Sequence, residues 1–203
     1  AGVPGFFVHG SNDRVGPKAR NPLRYFQGPS RPAPEAGELD TAGLDSFFTD
    51  DLGWHDLNNT AATVTAGGVS INAFGVSDAH RDWDDLDAAS TALAALRVNS
   101  AADLIIGVTH APYRRILDEY VDLGAQAIFA GHTHGGQVCV PVWGALVANC
   151  DIPLRQASGL STWTHGDVTV PLNVSAGLGN SIYAPVRFAC RPEASLITLT
   201  ARA

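Results

Sequence analysis

The histidine pair in the segment 129–137, FAGHTHGGQ, is the feature of the chain best suited to chemistry. His132 and His134 stand two residues apart after a short apolar run, with glycines on both sides. In an extended segment such residues point to the same side, so their imidazoles can converge on one metal ion or on two adjacent ions. The glycines let the backbone turn sharply beside a ligand. Two loop histidines without a ligand are the plainer interpretation of this motif taken alone.

A third histidine occupies a similar position upstream. His110 follows the apolar run 103–109, which is typical of a buried strand. The segment 113–123 has the apolar spacing of one helical face, and a second strand is predicted at 126–130. A strand, a helix and a strand in this order place the carboxyl ends of two parallel strands at one edge of a sheet, where ligands bind in open α/β folds. The sequence therefore predicts that His110 meets the histidine pair.

Three segments of the chain carry a family resemblance. They read GSND at 10–13, GVTHAP at 107–112 and GHTHGGQ at 131–137. In order and spacing they resemble the last three motifs of calcineurin-like metallophosphoesterases. The tail from 174 to 199 also resembles the end of that domain, and the chain is most similar to the bacterial branch that acts near membranes on phosphodiesters. The resemblance extends over nearly the whole chain, and GHTHGGQ is its most specific part.

The resemblance implies a fold and a reaction. The fold would be α/β, a four-layer α/β/β/α sandwich formed by a single domain over 1–203, with its amino-terminal strands missing. The activity would be hydrolysis of phosphodiesters, in which a hydroxide that bridges two divalent metal ions attacks phosphorus. By the same resemblance, His110 and His132 would bind one ion and His134 the other. The ions could be Mn, Fe, Zn or Mg, all of which accept mixed nitrogen and oxygen ligands.

The GSND loop departs from the family motif, which reads Gly-Asn-His-Asp or Gly-Asn-His-Glu, with Asn as a metal ligand and His as the acid for the leaving group. A match without gaps places Ser11 at the ligand position and Asn12 at the acid position. A serine hydroxyl is a poor neutral ligand for a borderline metal, whereas an amide oxygen is adequate. We therefore expect Asn12 to bind metal and Asp13 to be the catalytic residue near the leaving group. Ser11 stays open as the ligand, and Asp13 as a helix N-cap.

A larger departure lies at the start of the chain. Family members begin with Asp-x-His and Gly-Asp-x-x-Asp, which supply the remaining ligands, and neither motif precedes Gly10. We therefore expect a carboxy-terminal portion that is catalytically poor by itself, with a non-catalytic or weakly metal-binding scaffold as the alternative function. Asp78-Ala79-His80 has the Asp-x-His form at the wrong place in the order. Asp78 and His80 are expected at the rim or in the substrate pocket, with a solvated turn as the alternative.

Arg187 is a further candidate for substrate binding. It follows the loop 177–180, which the resemblance places at the border of the site. The planar fork of an arginine matches the oxygens of a phosphate group. A structural salt bridge to Glu193 or Asp151 is the alternative interpretation.

Composition and charge fit one globular domain and limit its partners. The chain has 203 residues, of which 45% are hydrophobic and 16% charged, and its net charge is −7 without a lysine or arginine block. The charge therefore argues against nucleic acid as the main partner. The family resemblance implies a phosphate ester as the substrate, derived from a lipid or a nucleotide. The apolar runs are shorter than the ~20 residues that span a bilayer. The protein is expected in the cytoplasm, or at a membrane reached through the missing amino end.

Two other groups of residues could do chemistry. Cys139, Cys150 and Cys190 lack Cys-x-x-Cys spacing and are expected to be reduced thiols, with a bridge between Cys139 and Cys150 as the alternative. A serine hydrolase is a second class of enzyme to consider. The chain has no Gly-x-Ser-x-Gly elbow, and His165 is the only base candidate near serines that follow glycine-containing turns.

The periodicity of apolar residues predicts strands and helices in one domain without repeats. The predicted strands lie near 5–9, 62–66, 69–76, 103–109, 126–130, 137–140, 145–148, 170–174 and 195–201. The predicted helices lie near 41–52, 84–98 and 113–123.

Overall fold

The computed structural model describes residues 2–16, 37–99, 101–181 and 186–200. The strands in these residues are β1 (Phe6–Phe7), β2 (His55–Asp56), β3 (Thr60–Ala66), β4 (Val69–Val76), β5 (Leu104–Thr109), β6 (Ala127–Ala130), β7 (Cys139–Val140), β8 (Gly144–Ala145), β9 (Gly159–His165) and β10 (Val168–Val174). The helices are α1 (Ser11–Arg14), α2 (Ala42–Ser46), α3 (Leu86–Asn99) and α4 (Arg114–Asp122). A π-helical segment, Phe47–Asp51, continues α2, and single 3-10 turns occupy Ala79–Arg81, His134–Gly136 and Leu154–Gln156.

Six strands form one mixed sheet in the order β3-β4-β5-β6-β10-β9. Its four central strands are parallel, and β3 and β9 flank them in antiparallel pairing. The register pairs the last residues of the parallel strands across the sheet, in the order Val76, Thr109, Ala130 and Val174. The carboxyl ends of these strands are therefore level, and the loops that follow them leave the sheet at one edge. The fold is α/β.

The larger core lies on the face of the sheet that α3 and α4 cover. Helix α4 buries one face because its apolar residues fall on one side of the helix. These residues are Ile116, Leu117, Tyr120 and Val121. The ring centroid of Tyr120 lies 4.6 Å from that of Phe74 in β4, and its hydroxyl donates to the carbonyl of Val108 at 2.9 Å. This tyrosine joins the helix to the strand that leads to the candidate site.

The opposite face of the sheet carries a smaller core. Successive residues of a strand point to opposite faces, so Ala73 and Phe74 in β4 belong to different cores. Leu57, Ala73, Ile106 and Ala127 are buried on this second face, surrounded by apolar side chains that are only partly buried. The sheet is thus well covered by helices on one side and sparsely covered on the other.

The predicted elements agree with the structure best in the middle of the chain. The strand predicted at 69–76 is confirmed as β4, and the helices predicted at 84–98 and 113–123 are confirmed as α3 and α4 with shifted ends. The strands β2 and β9 were missed, since β2 has two residues and β9 is an edge strand rich in serine and threonine.

The strand predicted at 195–201 is wrong over residues 195–200, which form no strand, and residue 201 lies outside the described residues. Its apolar side chains have no sheet to pack on, and Leu196 is 96% exposed. None of the helices in the described ranges combines the length and the apolar character that crossing a membrane requires.

Gly107→Ala is expected to destabilise the fold by about 1–3 kcal/mol, because the core has no room for the added methyl group. Gly107 in β5 packs against Tyr120, and a Cβ atom there would lie 2.9 Å from Cε2 of the ring. Urea unfolding measures the change in free energy. Gly43→Ala in α2 is the control, since its methyl group would meet no atom within 4 Å. Equal stability of Gly107→Ala and the natural protein would contradict this packing.

Candidate metal centre

The level strand ends bring three potential metal ligands together. Asp78 stands two residues after β4, His110 directly after β5 and His132 two residues after β6. One ligand atom from each of these residues lies within 4.8 Å of the others. Because the three strands are parallel and adjacent in the sheet, the side chains that follow their last residues share one small volume.

The Asp78 carboxylate is the most buried member of the group, with 1% of the residue exposed. Its oxygens accept hydrogen bonds from the amide of Ser11 at 2.7 Å and from the amide of His80 at 2.9 Å. Burial by itself would raise the pKa of Asp78. The charges of His110 and His132 and the two backbone hydrogen bonds outweigh burial and hold the pKa below its ordinary value. The group is therefore a buried, ionised carboxylate.

The facing nitrogens of the two imidazoles are nearly as far apart as two nitrogens bound to the same metal ion. Nδ1 of His132 lies 3.2 Å from Nε2 of His110, and the ring planes cross at 75°. Two nitrogens bound to one tetrahedral ion at ~2.0–2.1 Å are about 3.3 to 3.4 Å apart. A cation between the rings would therefore need only a small adjustment of these side chains.

The other nitrogen of His132 is held by the backbone, which orients the ring. Nε2 lies 3.1 Å from the carbonyl oxygen of Asn149. The side-chain amide nitrogen of Asn149 lies 3.1 Å from the same Nε2, so Asn149 holds the ring in either tautomer. The tautomer that donates from Nε2 to the carbonyl leaves Nδ1 able to bind metal. Burial, followed by the charges of His110 and His80, lowers the pKa of His132 to about 3. At neutral pH the ring is uncharged, which is the form that binds a cation.

His80, predicted as a substrate contact, lies beside the three ligands. Its ring centroid is 4.7 Å from that of His132, and its Nδ1 is 2.8 Å from the hydroxyl of Tyr113. Burial is the main cause that lowers the pKa of His80, and the charge of Asp78 offsets it in part. Burial also raises the pKa of Tyr113 to about 12, so the hydroxyl keeps its proton and can donate to Nδ1. In the tautomer that accepts this hydrogen bond, the N–H of the neutral ring is on Nε2.

The GSND loop contributes its backbone to the centre. Ser11 is buried and its amide binds Asp78, whereas the side chain of Asn12, the predicted ligand, is exposed on α1. Asp13, the predicted acid, accepts a hydrogen bond from the amide of Gly10 at 2.9 Å and is 47% exposed. Gly10 packs against the His110 ring. The structure thus brings Ser11, and not the Asn12 side chain, beside the carboxylate.

His134 lies at the same edge but outside the group of three. Burial, followed by the charges of Arg187 and His110, lowers its pKa to about 4, and a hydrogen bond with the Gly179 backbone offsets part of this shift. Among the described residues, His134 does not belong to the group that Asp78, His110 and His132 form. Its assignment to a second ion stays a prediction.

The guanidinium of Arg187 binds backbone carbonyls, which gives it a structural role. It donates to the carbonyls of His134 at 3.1 Å, Ala176 at 2.8 Å, Gly177 at 3.0 Å and Gly179 at 3.1 Å. These contacts hold the loop after β10 against the His134 turn. Glu193 and Asp151, the partners in the alternative interpretation, form no salt bridge with Arg187 in the described part of the chain. Contact with a phosphate group stays a prediction.

The sequence identified two of the three grouped residues as ligands. Asp78 was expected at the rim or in the substrate pocket, with a solvated turn as the alternative, and the structure buries it almost completely beside His110 and His132. The sequence shows that Asp78 follows a predicted strand, but it does not show that this strand is parallel and adjacent to β5. Tyr113 and Asn149 were not considered as supporting residues, since no local motif marks either of them.

Comparisons with known proteins do not assign a function. No family model matches the chain, and no curated protein matches it. Among solved structures, the chain is similar to a hypothetical protein from Thermus thermophilus, with 22% identity over 47% of this chain and a TM-score of 0.35. The match spans 41% of that protein's length. What the centre can do therefore rests on the chemistry of its own residues.

The metal-free protein is expected to lose stability as the pH falls from about 7.5 to 5. The pKa of His132 is about 3 and that of His134 about 4, against an ordinary value of 6.5. Below pH 6.5 these histidines therefore bind protons in the unfolded chain but not in the folded chain, and unfolding is favoured. Thermal unfolding in a chelator at several pH values measures how the stability depends on pH. His132→Asn should weaken the pH dependence and His55→Gln, at an exposed site, should not. An equal pH dependence of stability in the natural protein and in both variants would contradict this explanation.

Gly10→Ala is expected to weaken zinc binding at least tenfold. A Cβ atom at position 10 would lie 2.7 Å from Nε2 of His110, so the ring would have to leave its place beside His132. Isothermal titration with Zn²⁺ measures the affinity. Gly179→Ala is the control, because its Cβ atom would be 3.9 Å from the His134 ring and would fit. Unchanged affinity in a folded Gly10→Ala protein would show that the position of His110 does not govern binding.

Proposed function

We propose that the protein is a metal-dependent phosphoesterase whose metal centre is built on Asp78, His110 and His132. The observation that carries the proposal is the placement of a buried carboxylate and two imidazoles within 4.8 Å of one another at the ends of parallel strands. The resemblance of GSND, GVTHAP and GHTHGGQ to metallophosphoesterase motifs supports the same reaction class.

The chemistry of the three side chains fits a divalent cation. The carboxylate supplies a negative charge and the rings supply neutral nitrogens, a ligand set that suits zinc, manganese or iron. A cation at this position would lower the pKa of a water molecule and polarise a phosphoryl oxygen. It would also balance the buried charge of Asp78, which has no lysine or arginine partner among the hydrogen bonds of the described residues.

The neighbouring residues can orient a phosphate ester. His80 is neutral and held by Tyr113, so its Nε2–H can donate to a phosphoryl oxygen beside the centre. Asp13 stays the candidate acid for the leaving group, because its carboxylate is fixed to Gly10, the residue that packs against His110. The substrate class we propose is a phosphodiester derived from a lipid or a nucleotide, in line with the absence of a basic block.

The same proposal includes a second metal ion and a second sheet. His134 would be a ligand of a second divalent ion, next to the first. The four-layer sandwich would be completed by a second sheet on the sparsely covered face, where the side chains of Phe6, Val108 and Phe129 are only partly buried. A second sheet would remove this apolar surface from water.

A metal-binding scaffold without catalytic activity is the second candidate function. The observation that favours it is the size of the ligand group: within the described residues, one carboxylate and two imidazoles gather, and no second carboxylate joins them to bridge another ion. A two-metal reaction needs its ions held close together, usually by such a bridge.

Hydrolysis of bis(p-nitrophenyl) phosphate in the presence of Mn²⁺ tests the proposal. The chain is expected to show a weak rate that a chelator abolishes, and Asp78→Asn should lower it about 100-fold or more, since a ligand should matter at least as much as the residues that support ligands. His55→Gln, outside the centre, should leave the rate unchanged.

The same assay separates the two candidate functions. A chain that binds Mn²⁺ through Asp78 and shows no hydrolysis would support the scaffold. A rate that is equal in the natural protein and in Asp78→Asn would contradict the proposed centre.

A further inference from the structure

The sulfur atoms of Cys139 and Cys190 converge on one backbone carbonyl. The Sγ of Cys139 lies 3.2 Å from the carbonyl oxygen of Gly135, and the Sγ of Cys190 lies 3.4 Å from the same oxygen. Cys190 also lies 3.2 Å from the carbonyl oxygen of His134. Two thiols that share an acceptor in this way are neighbours, although 50 residues separate them in the sequence.

The backbone brings the two cysteines together by a short parallel pairing. The amide of Cys139 donates to Phe188 at 2.9 Å, and the amide of Phe188 donates to Gln137 at 3.0 Å. In a regular strand the residues after Phe188 would continue alongside β7. Ala189 instead has a φ of 50°, in the left-handed region that an alanine rarely adopts. This turn directs Cys190 back toward Gly135 and Cys139.

Gly135 makes this approach possible. Its φ is 65°, and a Cβ atom at this position would lie 2.8 Å from the Sγ of Cys190. Only a glycine leaves the space in which the Cys190 sulfur lies. The contact therefore depends on the GHTHGG turn, which also carries His134.

The two thiols can be reached from solvent through a shared cavity. Both cysteines line an open cavity of about 630 Å³, whose charged residues are Arg155, Arg191 and Glu193, so that positive charge is in excess. Cys190 is partly exposed and Cys139 is 9% exposed. The volume is sufficient for a peptide-sized thiol compound, and the arginines suit one that carries carboxylates. Cys150, in contrast, is buried and does not line this cavity.

We propose that Cys139 and Cys190 form a reversible disulfide, made by exchange with a small anionic disulfide of the glutathione type. The site lies outside the group formed by Asp78, His110 and His132 but borders the His134 turn, and its chemistry does not depend on the proposed phosphoesterase activity. The bridge ties the segment after residue 186 to the His134 turn.

The exchange balances as a two-electron oxidation of the protein. Cys190, the more exposed thiol, loses its proton to solvent and attacks one sulfur of the small disulfide, which releases one thiol and leaves a mixed disulfide at Cys190. Cys139 then loses its proton and attacks the Cys190 sulfur, which releases the second thiol. Burial, followed by the neighbouring Cys190 thiol, raises the pKa of Cys139 to about 11, so Cys139 is the slower nucleophile and acts second.

The test is to treat the 203-residue chain with oxidised glutathione in the presence of a chelator, then to alkylate it in denaturant and measure its mass. The expected product has lost two hydrogen atoms and keeps one alkylatable thiol. Chymotrypsin cuts after Trp143, between Cys139 and Cys150, so its peptides identify the bridged pair. The expected bridge joins Cys139 to Cys190, and dithiothreitol removes it.

Three variants test which two cysteines form the bridge. Cys139→Ser should stop the reaction at a glutathione adduct on Cys190, and Cys190→Ser should form no bridge. Cys150→Ser is the matched control and should form the bridge as the natural protein does. A bridge between Cys139 and Cys150 would overturn the proposal. So would equal alkylation of Cys139 and Cys190 before and after treatment of the natural protein.

Discussion

The buried carboxylate of Asp78 is the constraint around which the candidate site is arranged. An ionised group that is 1% exposed is costly unless donors or a cation stabilise it. Hydrogen bonds from the backbone amides of Ser11 and His80 offset part of the free-energy cost of burying this charge. The imidazoles of His110 and His132 face the remaining side. A divalent cation would complete such an arrangement, and this is the reason we propose a metal centre at this edge of the sheet.

The loops that hold these groups are kept in place by contacts that local propensity would not favour. His132 has a φ of 67° and His134 a φ of 51°, both in the left-handed region that costs a non-glycine residue roughly 1–2 kcal/mol. Asn149 holds the His132 ring, and Arg187 holds the carbonyl of His134. Strained residues that surrounding contacts fix in one geometry are typical of functional sites. The strain here lies at the ends of well-packed strands, which can support it.

The central strands and their histidines could be predicted from the sequence because each apolar run ends at a polar residue, and the helix between them has a clear apolar face. The proximity of Asp78 to His110 could not be predicted from the sequence. It depends on the register that pairs Val76 with Thr109, and no local sequence pattern determines that register. The choice between Ser11 and Asn12 as a ligand stays a prediction: the group that meets the Asp78 carboxylate is the backbone amide of Ser11, and the Asn12 side chain is exposed on α1. The pairing of Cys139 with Cys190 depends on the turn at Ala189, which an alanine does not signal.

The most direct test of the metal centre is anomalous diffraction from crystals of the protein grown with Zn²⁺. The account predicts a strong peak about 2.0–2.2 Å from a carboxylate oxygen of Asp78, Nε2 of His110 and Nδ1 of His132, which is the range of zinc bonds to oxygen and nitrogen. The peak should vanish in Asp78→Asn while the fold is retained. A zinc-soaked crystal with no peak between these three side chains, or with its strongest peak elsewhere in the molecule, would contradict the account.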